Sequence, residues 1–172
     1  NAVRFARILD QLGKRHLPMD SDSTQAVAYG DVDGDGDLDL VIGNGYHQNR
    51  LYLNNGTGTF TDATASRMPV DNDFTWSMAL GDVDGDGDLD LVIGNGGFSS
   101  GQQNRLYLNN GTGTFTDATA SRMPVDGDYT YSVALGDVDG DGDLDLVIGN
   151  SYAVFGQQNR LYLNNGRGTF TD

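Results

Sequence analysis

The chain has 172 residues, of which 25 are Asp and none is Glu; with only ten Lys and Arg its formal net charge is −15. Such acidity argues against nucleic acid and against anionic membrane surfaces as partners, and no apolar run is long enough to span a bilayer. The lack of cysteine excludes disulfides and thiol chemistry, while 25 glycines and three prolines suit many short strands joined by tight turns.

Residues 1–20 stand apart as an N-terminal cap segment. Phe5, Ile8, Leu9 and Leu12 fall at i, i+3, i+4 and i+7, which predicts a short amphipathic helix ending near Gly13. The rival reading makes Arg4 to Leu12 an outer strand. From Leu17-Pro18-Met19-Asp20 onward the chain is in register with Met68-Pro69-Val70-Asp71 and Met123-Pro124-Val125-Asp126, which divides residues 21–172 into three units of about 21–68, 69–123 and 124–172.

Each unit reads alike, and the second serves for all. Trp76 to Leu80 alternates large and small residues as a first strand, and Leu91 to Asn95 is a short apolar run that suits a strand buried on both faces. Arg105 to Asn109 is the third strand, Asn109-Asn110-Gly111-Thr112-Gly113 a tight hairpin in which Asn-Gly suits positive φ, and Phe115 to Thr119 the fourth strand. Four antiparallel strands recurring at this regular spacing predict an all-β fold of three β-propeller blades, with an open sandwich as the alternative. Arg50, Arg105 and Arg160 recur at the third-strand starts as partners for nearby Asp. The Asn-Gly-Thr triplets at Asn55 and Asn110 match a glycosylation sequon that the hairpin role already explains.

The chemistry lies between the first and second strands. Asp31-Val32-Asp33-Gly34-Asp35-Gly36-Asp37-Leu38-Asp39-Leu40-Val41-Ile42-Gly43-Asn44 returns letter for letter from Asp82 and from Asp137, at spacings of 51 and then 55 residues. Five carboxylates on alternate positions repel one another unless something positive sits among them, and the interleaved glycines allow the tight path that turns them inward. A hard divalent cation seeking six to eight oxygens fits, calcium better than magnesium, which keeps its waters. The first half matches an EF-hand loop. Position 12, where the helical hand needs its Glu, is instead Ile42, Ile93 or Ile148, so the missing ligand is expected from position 9: Asp39, Asp90 or Asp145.

This loop, with the companion stretch Asn-Arg-Leu-Tyr-Leu-Asn-Asn-Gly-Thr-Gly-Thr-Phe-Thr-Asp from Asn49 and Asn104 (and from Asn159, with Arg167 for the first Thr), resembles the FG-GAP/VCBS repeat of integrin-α-type propellers. No Gly-Ala-Pro follows a Phe-Gly, so the likeness is to the bacterial VCBS-like branch. The resemblance implies three Ca²⁺ sites, with side-chain ligands at loop positions 1, 3, 5 and 9 and the backbone carbonyl at position 7. Carried over, these are Asp31, Asp33, Asp35 and Asp39 with Asp37; Asp82, Asp84, Asp86 and Asp90 with Asp88; and Asp137, Asp139, Asp141 and Asp145 with Asp143. Such calcium loops favour an extracellular or cell-surface setting, where weak sites can fill from millimolar calcium.

Units two and three differ at few positions, nearly all on the side away from the metal loops. Aromatic residues gather there: Tyr46, Phe98, Tyr152 and Phe155, with Phe74, Trp76, Tyr129 and Tyr131 nearby. Aromatic platforms beside Gln, Asn and Ser suit the C–H faces and hydroxyls of sugar rings. The expected function is therefore a secreted calcium-binding module that binds a glycan or protein surface through Tyr46, Phe98, Tyr152, Phe155, Trp76 and Tyr131. The alternatives are a purely structural repeat of a larger adhesin or surface protein and, third, a glycan-active enzyme; His16 and His47 lie in unmatched contexts, and no carboxylate pair is singled out for catalysis. Propellers close with roughly four to eight blades. Three units therefore predict either a homodimer that completes a six-bladed ring or membership of a larger propeller.

Overall fold

The computed structural model describes residues 16–97, 100–152 and 155–172, with backbone alone at Tyr152 and Phe155. The helix-or-strand reading of the N-terminal segment falls on residues 1–15, outside the described residues.

Three antiparallel sheets follow one another along the chain. The first contains β1 (Thr24–Gly30), β2 (Asp39–Asn44), β3 (Arg50–Asn54) and β4 (Phe60–Asp62); the second contains β5 (Thr75–Gly81), β6 (Asp90–Asn95), β7 (Arg105–Asn109) and β8 (Phe115–Asp117). The third contains β9 (Thr130–Gly136), β10 (Asp145–Tyr152), β12 (Arg160–Asn164) and β13 (Phe170–Thr171), and a two-residue strand, β11 (Phe155–Gly156), pairs with the far end of β10. Strand order is sequence order in the first two sheets and along β9, β10, β12 and β13 of the third, and register repeats between sheets: Leu40 opposes Tyr52, Leu91 opposes Tyr107 and Leu146 opposes Tyr162. The fold is all-β and propeller-like, as the period predicts.

The first strands of the sheets, β1, β5 and β9, pack side by side, so each sheet lays one face on the next. Two apolar cores form between sheets. Val32, Val41 and Leu51 of the first meet Leu91, Ile93 and Tyr107 of the second; Val83, Val92 and Leu106 of the second meet Val133, Leu146, Ile148 and Tyr162 of the third. Every residue of β6 is buried, as expected of a strand covered on both faces. Gly43 and Gly94 mark close approach of neighbouring sheets, since a Cβ there would lie 2.6 Å from Thr75 Cγ2 and 2.8 Å from Thr130 Cγ2. The same threonines carry a buried polar seam: Asn49 donates to Thr75 Oγ1 at 3.0 Å, and Thr75 donates to Asn95 at 3.1 Å. In the next junction Asn104 donates to Thr130 Oγ1 at 2.9 Å, and Thr130 donates to Asn150 at 2.9 Å.

Two local expectations are corrected. The fourth strand ends at Asp117, because the Asp117 carboxylate accepts the Thr119 amide at 2.9 Å and starts a helical turn, Thr119–Arg122, matched by Thr64–Arg67 in the first unit. In the hairpins positive φ falls on both glycines, 75° at Gly111 and 72° at Gly113, and not on the asparagines. The recurring arginines do pair with Asp: Arg50 with Asp22 and Asp62, Arg105 with Asp73 and Asp117, Arg160 with Asp128 and Asp172. Among the described residues no helix is long and apolar enough to cross a membrane.

Candidate metal centres and the opposite aromatic face

The loop from Asp31 to Leu38 joins β1 to β2 and is shaped by its own carboxylates. Asp31 accepts the Gly34 and Asp35 amides on Oδ1 at 2.8 and 3.1 Å and the Gly36 amide on Oδ2 at 2.9 Å. Gly34 and Gly36, at φ 76° and 93°, take the left-handed turns this wrapping requires. Asp35 accepts the Asp37 amide at 2.9 Å. Asp39, buried at the head of β2, accepts the Val32 amide at 3.1 Å and the Asn54 amide at 2.8 Å, tying the loop to the β3–β4 hairpin. Asp82, Asp86 and Asp90 repeat these bonds in the second loop, and Asp137, Asp141 and Asp145 repeat most of them in the third.

Each loop draws three carboxylates together, with one oxygen of each lying within 4.8 Å of the others: Asp31, Asp33 and Asp39; Asp82, Asp84 and Asp86; Asp137, Asp139 and Asp145. Positions 1 and 3 recur in all three groups, completed by position 9 in the outer units and by position 5 in the middle one. Asp35, Asp90 and Asp141 lie in the same loops outside these tightest groups. Position 7 is different. A Cβ on hairpin Gly56, Gly111 or Gly166 would stand 2.5, 2.6 or 2.4 Å from the Oδ2 of Asp37, Asp88 or Asp143, so these side chains lie against the hairpin. That orientation suits a residue contributing only its backbone carbonyl.

The donor set fits a hard cation. Asp33 Oδ1 and Asp84 Oδ1 are buried and have no hydrogen-bond partner, a costly state for a carboxylate oxygen unless something positive meets it. Burial, then the charges of Asp35 and Asp86, raises both carboxyls above the ordinary carboxylate range. Burial likewise raises Asp39, and it pushes Asp90 up to about 6 against the pull of the Asn109 and Val83 amides. These groups resist carrying charge by themselves; a divalent ion would supply the charge that favours their ionised form.

Two features escaped the sequence reading. Arg67 and Arg122, from the helical turns, bring Nη1 to 4.0 Å from Asp33 and 3.8 Å from Asp84, and each also donates to a carbonyl of the next unit's hairpin, that of Thr112 or Arg167. Asn109 and Asn164 reach back one unit, donating to the Val32 and Val83 carbonyls at 2.8 and 2.7 Å. The repeated Ala-Ser-Arg-Met-Pro and Leu-Asn-Asn-Gly strings were the available signals, but recurrence alone does not say which unit a side chain reaches.

At the other end of the strands, rings form a continuous row. Tyr46 meets Phe74 edge-on at 4.9 Å between centroids, Phe74 lies 4.7 Å from Trp76, and Trp76 stacks on Tyr131 at 5.0 Å and 24°. The row thus runs through all three units. Phe74 is buried and acts as its base, whereas Tyr46 and Tyr131 are exposed. Trp76 anchors itself by donating Nε1–H to the Gly96 carbonyl at 2.7 Å. Trp76 and Tyr131 both occupy the extra position of a β-bulge, where pairing skips from Thr75 to Ser77 and from Thr130 to Ser132. Such bulges re-aim a side chain out of the regular pleat. Tyr46 has φ 56°, the one non-glycine in the left-handed region among the described residues. Of the other expected ring positions, Phe98 lies outside the described residues, and Tyr152 and Phe155 are placed as a backbone pair between β10 and β11 with no side-chain account.

The decisive comparison is with protein families. The model of the FG-GAP-like repeat matches residues 31–93 and 94–148, about two thirds of the chain. The protein belongs to the FG-GAP repeat family. FG-GAP repeats are modules of surface and adhesion-type proteins, typically extracellular, and are a non-enzymatic repeat type. No curated protein matches the chain.

Proposed function

We propose that this FG-GAP protein is a secreted, calcium-binding propeller module that captures a glycan through the aromatic row at the end opposite its metal loops. Calcium is the favoured ion because each loop offers only oxygen donors, more of them than magnesium takes from protein, in a glycine-rich frame able to adapt to a large coordination sphere. Asp31, Asp33, Asp35 and Asp39 and their counterparts supply carboxylates in this reading, and Asp37, Asp88 and Asp143 supply carbonyls. In this reading the protein is a binding module and not an enzyme, in keeping with the non-enzymatic character of the FG-GAP repeat.

The observation that carries the ligand reading is the row from Tyr46 to Tyr131. Two exposed rings flank the buried Phe74 and the half-buried Trp76, two rings are set by bulges, and one sits in a left-handed conformation that costs about 1–3 kcal/mol for a non-glycine residue. Flat rings with polar neighbours present stacking surface at low entropic cost, which suits pyranose faces. A glycan array probed in calcium buffer tests it. Wild type is expected to capture a defined glycan set, and the Tyr46→Ser/Tyr131→Ser double variant to lose it with an unchanged melting temperature. Equal capture by both proteins would remove the row from the site. An array silent for wild type would favour the second reading, a purely structural repeat of a larger surface protein.

A further inference from the structure

We propose that two copies of this chain associate head to tail, the outer face of the third unit docking on the outer face of the first unit of the partner, to close a six-bladed ring. This stands independently of the glycan reading and rests on what the two internal junctions use and what the two end faces still expose.

On the advancing face of a unit the same positions recur. Val32, Val41 and Leu51 in the first unit and Val83, Val92 and Leu106 in the second are at most 1% exposed, because the following unit covers them. Their equivalents in the third unit, Val138, Val147 and Leu161, are 50, 41 and 43% exposed, and Leu163 beside them is also exposed. Glycine contacts tell the same story. A Cβ at Gly30 would strike Leu80 and Leu89 of the next unit, one at Gly81 would strike Leu135 and Leu144, and one at Gly136 would meet nothing within 4 Å.

The receiving face is the complement. Met78, Leu80 and Leu89 of the second unit pack against the first unit's core, and Val133 and Leu135 do so against the second unit's. Their counterparts in the first unit, Val27, Tyr29 and Leu38, are exposed, Tyr29 at 69%, although Ile42 and Tyr52 farther out on that face are buried. The free contact is therefore the inner half of the face, beside β1.

Polar groups match as well. Within the chain, Asn49 and Asn104 are buried and donate to Thr75 and Thr130 of the following unit. Asn159 and Thr24 hold the corresponding halves on the two open faces, and both are exposed. Asn109 and Asn164 donate back to the Val32 and Val83 carbonyls; Asn54 of the first unit and the Val138 carbonyl of the third are the matching donor and acceptor. A second copy thus supplies each open face with the groups that an internal junction already uses. Two copies of this three-unit chain supply six blades, within the roughly four to eight of a closed propeller. A head-to-tail contact whose rotation closes forms a ring of that kind, with two identical junctions.

Light scattering of the 172-residue chain in calcium at micromolar concentration is expected to give twice the 18.4 kDa chain mass. Leu161→Arg on one face and Tyr29→Arg on the other are each expected to shift the protein to monomer. An equimolar mixture of the two variants should associate more than either alone, because one wild-type junction remains possible. Leu163→Arg, at another exposed position of β12, must behave as Leu161→Arg does, and far-UV circular dichroism of every variant should match wild type. A wild-type monomer, an open series of larger oligomers, or a dimer that loses mass with only one face's variants would overturn the proposal.

Discussion

The two ends of the strands obey different rules. At the carboxylate-loop end the three loops are identical from Asp31, Asp82 and Asp137, and two carboxylates of each shape the backbone around them: in the first loop Asp31 accepts three amides and Asp39 two, while Asp33 Oδ1 stays unpartnered. At the aromatic end the units differ, with Trp76 where another unit has Tyr131, and two of the four rings in the row, Tyr46 and Tyr131, are exposed. The lesson is that a loop which folds around its own carboxylates leaves little room for change, whereas a surface that only has to remain accessible can diverge from unit to unit.

That contrast can be broken by substitution, and the largest effect belongs to Asp90→Ala. Its carboxylate holds the Val83 and Asn109 amides, both inside the fold. Removing it strands two donors and is expected to cost about 2–5 kcal/mol, read from urea denaturation. Loss below about 1 kcal/mol would show that this end is not so tightly coupled.

Gly111→Ala comes next. Its φ of 75° is left-handed, and the new Cβ would lie 2.6 Å from Asp88 Oδ2. A loss of about 1–3 kcal/mol is expected. The matching probe at the other end is Gly127→Ala, where no atom stands within 4 Å of a new Cβ and φ is not left-handed. There the unfolded chain loses freedom and stability should rise slightly, by about 0.4–1 kcal/mol. Opposite signs at the two glycines sharpen the comparison; equal losses would weaken it.

Acidity offers a subtler probe. Asp90 titrates near 6 when folded without metal, above the ordinary value of about 4 in an unfolded chain. A raised folded value means the group favours the fold fully below the unfolded value and loses that contribution as pH rises through about 6. In chelator the melting temperature should therefore fall between pH 4 and pH 7, and bound calcium should oppose the fall. A chelated protein that gains stability over this interval would contradict the assignment.

Much of this was legible in the letters. The exact loop repeat gave the three carboxylate clusters, and alternation plus the Asn-Gly hairpins gave the strand order, because metal loops and tight turns depend on local chemistry. The expected fourth strand runs two residues too far because the hydrogen bond from the Thr119 amide to Asp117 competes with extension, and propensity alone does not rank the two. The aromatic row was only partly legible. Sequence placed Tyr46, Phe74, Trp76 and Tyr131 at one end, but the bulges that aim Trp76 and Tyr131, and the left-handed Tyr46, arise from pairing register. Arg67 and Asn109 were missed for a related reason: both act across a junction between units, a distance that a period does not encode.

If calcium fills the three carboxylate loops, its removal should loosen the whole fold. Thermal unfolding of wild type, followed by circular dichroism in chelator and then with added calcium or equimolar magnesium, tests it most directly. A melting temperature several degrees lower in chelator is expected, restored by calcium and less completely by magnesium. The same melting temperature in chelator and in calcium would contradict it.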